Sequence, residues 1–226
     1  KTKPLSMLTR EIHSQSLPFL HLHDKVYQAL QLMNDNHVTH LPIVEGDKYI
    51  GIISEEDLLL ADNENLELES LQESFGNTSV KGDEHFLKAI QIAAENGLSV
   101  VPIVSTENEM IGAVAYSDLL KHASEFMSLN EPGGLIVLEM ESNQYSFNEI
   151  SKLVETNDAQ ITQLNTSIDT ETGLMQVTIR INKPDVSDIV ATFQRYEYTV
   201  KYFFGEELYA NELRSNYDNL MNYLKI

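Results

Sequence analysis

Leu41-Pro42-Ile43-Val44 and, one short hairpin later, Gly51-Ile52-Ile53-Ser54-Glu55-Glu56-Asp57-Leu58 form the stretch on which the reading turns. Both pieces return. Val101-Pro102-Ile103-Val104 repeats the first, and Gly112-Ala113-Val114-Ala115-Tyr116-Ser117-Asp118-Leu119 repeats the second. Upstream, Ala29-Leu30-Gln31-Leu32 is echoed by Ala89-Ile90-Gln91-Ile92, and Asn36 by Asn96. The prolines lie 102 − 42 = 60 residues apart and the aspartates 118 − 57 = 61, so one residue is gained in the turn between them. A repeat this short cannot cover its own apolar face, and two copies are expected to pack as one unit.

Working outward, Phe19–Leu22 reads as a short strand, and Asp24 as a helix N-cap. The helix that follows presents Val26, Leu30 and Met33 on one side. Val38–Val44 and Lys48–Ile53 read as strands around a Gly46-Asp47 turn. Ser54 then marks a switch to helix, and the second copy runs in the same order from Glu84 to Met127. Between the copies, 62–73 is an acidic bridge anchored by Leu66, Leu68 and Leu71, expected to be a solvated face.

An apolar-Pro-apolar-apolar run, then Gly, two apolar residues, Ser/Thr, two variable residues, Asp and an apolar pair resembles the CBS domain. Two copies imply a tandem Bateman module over roughly residues 4–127, with a cleft that takes an adenine nucleotide. The resemblance implies that Asp57 and Asp118 accept hydrogen bonds from ribose hydroxyls, a carboxylate being a good double acceptor. It implies further that Ser54 donates to phosphate at a helix N-terminus, where backbone N–H groups also point. His40, two residues before Pro42, stands where relatives place a basic phosphate contact, and it is cationic near its ordinary pKa of about 6.5. The second copy has Ala115 and Val100 at these two positions, which makes the first half-site the stronger. Ser54 as a plain N-cap, and acids favoured by the helix macrodipole, would select the same residue types without a ligand.

Pro132-Gly133-Gly134 breaks the chain and separates a CBS pair at 1–130 (copies about 4–65 and 66–130) from a second domain at 134–205. There, strands at Leu135–Met140, Gln160–Asp169, Leu174–Asn182 and Thr199–Phe204 alternate with helices at Phe147–Glu155 and from Pro184-Asp185 onward. The order βαββαβ is ferredoxin-like and resembles an ACT domain. The first strand-to-helix turn, Ser142–Ser146, lacks the glycine that amino-acid-binding ACT domains carry, which favours a structural or dimerising role. A CBS pair followed by such a unit is similar to bacterial acetoin-utilisation regulators. A terminal helix is expected at 206–226, with Leu213, Tyr217, Leu220 and Leu224 along one face. The fold class is therefore α+β/α/β: a tandem CBS pair, a ferredoxin-like ACT-like domain and a C-terminal helix.

With 226 residues and 42% hydrophobic composition, the chain can bury a sizeable core. Its formal charge of −20 opposes phosphate backbones and anionic lipid, so neither nucleic acid nor a membrane is an expected partner. Of the ligands the resemblance implies (adenosine, AMP, ADP and ATP), the same charge favours adenosine, AMP or a related nucleotide with few phosphates over ATP. Cysteine is absent, which excludes disulfides, thiolate catalysis and Cys-ligated metals and fits a cytoplasmic setting. No secretory h-region opens the chain. His21 and His23 share a strand face and His37 and His40 lie nearby, but no third ligand is evident and no metal is expected. No phosphate loop, nucleophile elbow or zincin helix is present, so no enzyme and no required cofactor are expected. The function expected is a regulatory sensor, a homodimer, that binds an adenine nucleotide; the alternative is an interaction module with no ligand.

Overall fold

The architecture is that of a computed structural model in which residues 7–14 and 17–205 are described. The expected helix at 206–226 lies outside the described residues. The chain divides into two compact units between Ser128 and Leu129. Among the described residues, no helix is long and apolar enough to cross a membrane.

Unit 1 contains two copies of one element order, differing chiefly in the last helix, five residues in the first and eleven in the second. The first runs β1 (Leu20–His21), α1 (Val26–Asn36), β2 (His40–Glu45), β3 (Lys48–Ser54) and α2 (Glu55–Leu59). The second runs β4 (Val80–Lys81), α3 (Phe86–Asn96), β5 (Val100–Val104), β6 (Met110–Ala115) and α4 (Tyr116–Phe126). Each forms a three-stranded sheet with a parallel and then an antiparallel pair, and Leu20↔Ile43 has its counterpart in Val80↔Ile103. On α1 the fully buried side chains are Val26, Ala29 and Met33, one helical stripe turned to the core. Asp24 does not cap this helix. Lys25 is the N-cap, and the Asp24 carboxylate instead accepts the His21 N–H at 2.7 Å.

The copies share their interiors, as their size required. Val100 and Ala113 of the second copy belong to the core built on Leu20, Met33, Leu41, Ile43 and Leu58 of the first. The two hairpins also meet, with Tyr49 N–H donating to Asn108 O (3.0 Å) and Met110 N–H to Asp47 O (2.7 Å).

Each copy's lead-in crosses to the other copy. Residues before the first copy bind the second: Thr9 N–H donates to Glu84 O, Arg10 N–H to Gly82 O, and Ser14 N–H to Ala113 O. The bridge before the second copy binds the first: Val26 N–H donates to Leu66 O, Leu68 N–H to Asp24 O, and Ile52 and Gly76 exchange two bonds. The acidic bridge is therefore partly a structural strap, with Leu68 fully buried in a 3-10 turn at Leu68–Ser74. This crossing explains the signature glycines. A Cβ on Gly51 would stand 2.9 Å from both Gly76 O and Phe75 Cβ, and one on Gly112 would stand 2.9 Å from His13 Cβ.

Unit 2 has the order β7 (Gly134–Met140), α5 (Phe147–Glu155), β8 (Ile161–Ile168), β9 (Met175–Ile181), α6 (Ser187–Arg195) and β10 (Thr199–Phe204). Its four strands form an antiparallel sheet in the order β10-β7-β9-β8. Val177, Ile179 and Ile181 alternate into a core with Ile136, Leu138, Ile150, Val154, Ile189 and Phe193, as expected of a sheet covered on one face. Glu139, an outward-facing residue of β7, pairs with Lys201 at 2.5 Å, and Lys201 also approaches Asp169 at 3.6 Å.

Candidate functional site

The residues singled out by the repeat sit where strands give way to helices in unit 1. Ser54 is the N-cap of α2. Its hydroxyl donates to the Asp57 carboxylate at 2.5 Å and accepts the Asp57 N–H at 3.1 Å. The first of these hydrogen bonds holds the half-buried Asp57 side chain and the second its backbone, in the first turn of the helix. Glu55, Glu56 and Asp57 together place three acids at this helix start, where the macrodipole favours them.

In the second copy the residue before α4 is Ala115, which has no capping side chain. Ser14, from the crossing lead-in, takes over. Its hydroxyl accepts the Ala115 N–H at 3.1 Å and donates to the Asp118 carboxylate in a short bond. The expectation of a second half-site without a hydroxyl is corrected here: both aspartates are held by a serine. Sequence spacing gave no signal for Ser14, because its partner lies 104 positions away. What could have signalled it is the alanine at position 115 itself, an uncapped helix start in need of a donor and acceptor from elsewhere.

His40 opens β2 and lies against the second copy. The Ser99 N–H donates to its Nδ1 at 3.3 Å, with Ser99 Oγ at 3.2 Å and Thr39 Oγ1 at 3.1 Å. An accepting Nδ1 leaves the ring proton on Nε2. Burial holds this imidazole below the usual histidine range, and the Asp57 carboxylate only partly opposes that. A cationic His40 is thus disfavoured, because desolvation penalises the charged form more than Asp57 restores it.

A cleft of about 690 Å³ opens beside these groups. It is lined by the end of α1 (Asn36, His37, Val38), the end of α3 with its cap (Ala93, Ala94, Gly97, Leu98), Ser99, and the start of α4 (Ala115, Tyr116, Ser117). Ala115 and Ser99 bring the cleft next to the second half-site and to the serine that contacts His40, while His40, Ser54, Asp57 and Asp118 themselves are not among its lining residues. Its helix ends are matched turns, with His37 (φ 54°) and Gly97 (φ 63°) both left-handed.

The four histidines His21, His23, His37 and His40 do not form a metal cluster. Among the described residues, only His23, Glu67 and Glu69 bring three candidate ligand atoms within 4.8 Å of one another. Lys25 Nζ already holds Glu67 at 2.9 Å and, with His23, keeps its carboxyl below the usual range. Unit 2 has a smaller crevice of about 270 Å³ between Glu139, Gln144, Glu149 and the segment Tyr196–Thr199. Burial and the neighbouring Glu149 push the Tyr198 phenol up to about 12.

Residues 10–64 and 77–125 match the CBS domain family. The first half of this chain is a tandem CBS-domain pair. The CBS pair also carries the similarity to curated proteins. Inosine-5'-monophosphate dehydrogenase of Methanocaldococcus jannaschii is 23% identical over 133 residues, covering 58% of this chain and 27% of the relative. The enzyme of the same name from Korarchaeum cryptofilum is 30% identical over 115 residues, covering 50% of this chain and 24% of the relative. The chain thus spans about a quarter of the length of these relatives. Among solved structures, a CBS domain pair/ACT domain protein from Thermotoga maritima is 19% identical with a TM-score of 0.48, covering 53% of this chain and 98% of that one.

Proposed function

We propose that the chain is a non-catalytic regulatory protein whose CBS pair binds an adenine nucleotide or adenosine derivative. The observation that carries this reading is the matched pair of fixed carboxylates: Asp57 and Asp118, each at a helix start and each held by a serine hydroxyl. A carboxylate locked in place is a preorganised double acceptor for the vicinal hydroxyls of a ribose, and locking it beforehand lowers the ordering cost of binding. In this reading the first-turn N–H groups of α4 are donors for a phosphate, and His40 offers Nε2–H as a neutral donor, while the Ser54 proton is committed to Asp57. The charge of −20 and the depressed His40 favour adenosine or AMP over ADP and ATP. The second unit, with its βαββαβ order and one covered sheet face, serves in this reading as an ACT-like, ferredoxin-like domain of structural or dimerising role.

Thermal unfolding with adenosine, AMP, ADP, ATP and S-adenosylmethionine tests the reading. A ligand at 100 times its dissociation constant stabilises the fold by about 2.7 kcal/mol. AMP is expected to raise the melting temperature, and Asp57→Ala and Asp118→Ala each to weaken it, by about tenfold to a hundredfold in affinity for a lost charge-assisted bond. A flat response to millimolar concentrations of all five leaves the second reading, an interaction module. That reading has its own support in the exposed apolar residues Leu59, Leu60, Tyr116 and Leu120 on α2 and α4. Turnover of any of the five would overturn both.

A further inference from the structure

Ser14 and Gly76 occupy corresponding places. Each lies on a crossing lead-in and bonds the backbone of a strand next to its terminal helix, Ser14 at Ala113 and Gly76 at Ile52. The hydroxyl distribution is complementary. In the first half-site it comes from within the copy, at Ser54, and the crossing residue is glycine. In the second it comes from the crossing residue, and the position matching Ser54 is Ala115. In both, one hydroxyl donates to the carboxylate of Asp57 or Asp118; the N–H it accepts differs, that of Asp57 itself in the first copy and that of Ala115, just before α4, in the second.

We propose that Ser14 is a positioning residue of the second half-site, setting the Asp118 carboxylate for a nucleotide ribose, so that this half-site regains from the lead-in the hydroxyl its own copy lacks at Ala115. The inference rests on the nucleotide reading above. Without Ser14, the exposed Asp118 side chain has rotamers free to turn away, and ordering it becomes a cost of binding. A hydroxyl placed at 115 would do the same work from within the copy. Ala115 has φ −73° and ψ 148°, against −94° and 156° for Ser54, so its backbone already has the conformation that lets Ser54 cap α2.

The test is the dissociation constant of AMP by calorimetry, with the ligand-free melting temperature alongside, for the full chain and for Ser14→Ala, Ser14→Thr and the double variant Ser14→Ala/Ala115→Ser. Ser14→Ala is expected to weaken AMP by roughly tenfold, Ser14→Thr to keep wild-type affinity, and the double variant to recover it. Should Ser14→Ala fail to fold, the double variant is read against wild type: equal affinity supports the proposal and a tenfold loss overturns it. Wild-type affinity in Ser14→Ala overturns the positioning role and leaves the nucleotide reading intact. A lowered melting temperature in Ser14→Ala, with weakened binding that the double variant does not recover, reduces Ser14 to a structural cap. Absence of AMP binding by the wild-type chain overturns both readings.

Discussion

His40 shows how a residue's chemistry is rewritten by what surrounds it. The sequence places it beside Pro42 as a base, but desolvation lowers its pKa and Ser99 feeds a donor into Nδ1. A lowered folded pKa means that the unfolded chain binds more protons between that value and about 6.5, so stability rises with pH across the window. The contribution is fully present above the unfolded value and is lost as pH falls through the folded one. Urea unfolding at pH 5.5 and pH 8 should therefore show the wild-type chain less stable at the lower pH, with a shallower slope in His40→Gln. An identical slope in the two proteins would remove His40 as its cause. The residues legible in advance were those defined by local spacing, Gly51, Ser54, Asp57 and Asp118. Ser14 was illegible because its role depends on a partner 104 positions away, and Asp24 misled because a turn and a helix cap use the same side-chain chemistry.

Elements with a strong period were read closely. Helix α5 and strand β10 occupy the ranges expected, and α1 buries Val26 and Met33 as its spacing demands. In 62–73 the acids Asp62, Glu64, Glu69 and Glu73 are exposed, as expected of a solvated face, while the backbone on the other side is bonded to the first copy. Three leucines were enough to tie that bridge down, and Lys25–Glu67 pairs across it at 2.9 Å. Composition could not distinguish a strap from a loop, because the strap's bonds are backbone bonds to another segment. Its tight passage over β3 makes a specific prediction. Gly51→Ala inserts a methyl group 2.9 Å from the Gly76 carbonyl oxygen, and should destabilise the fold by about 1–3 kcal/mol as an overpacking change. Gly112→Ala, against His13, should cost a similar amount. Urea midpoints measure both, and an Ala variant as stable as wild type would show that the crossing strands have room to shift.

At the level of the whole molecule, the expectation that two copies make one unit is met by the Val100 and Ala113 side chains in the first copy's core. Assembly is the next question. Leu59 and Leu120 hold corresponding positions on α2 and α4 and are 67% and 60% exposed, with Leu60 at 77%. Apolar groups left in water at matching positions suit a two-fold contact that buries them on both partners. A homodimer is expected by light scattering at micromolar concentration, tightening with added salt as the −20 charge is screened. Leu60→Glu with Leu120→Glu should shift it to monomer, and a wild-type monomer at every salt concentration would remove the dimer. The exchanged lead-ins also bear on how the chain is made. Translation delivers Ser14 first, and at about 5–20 residues per second its partner Asp118 emerges several seconds later. Before that the lead-in finds only its backbone partners at Gly82, Glu84 and Ala113, so it is tied down in stages, and a truncated transcript ending before α4 would release a chain whose Ser14 hydroxyl lacks its Asp118 partner.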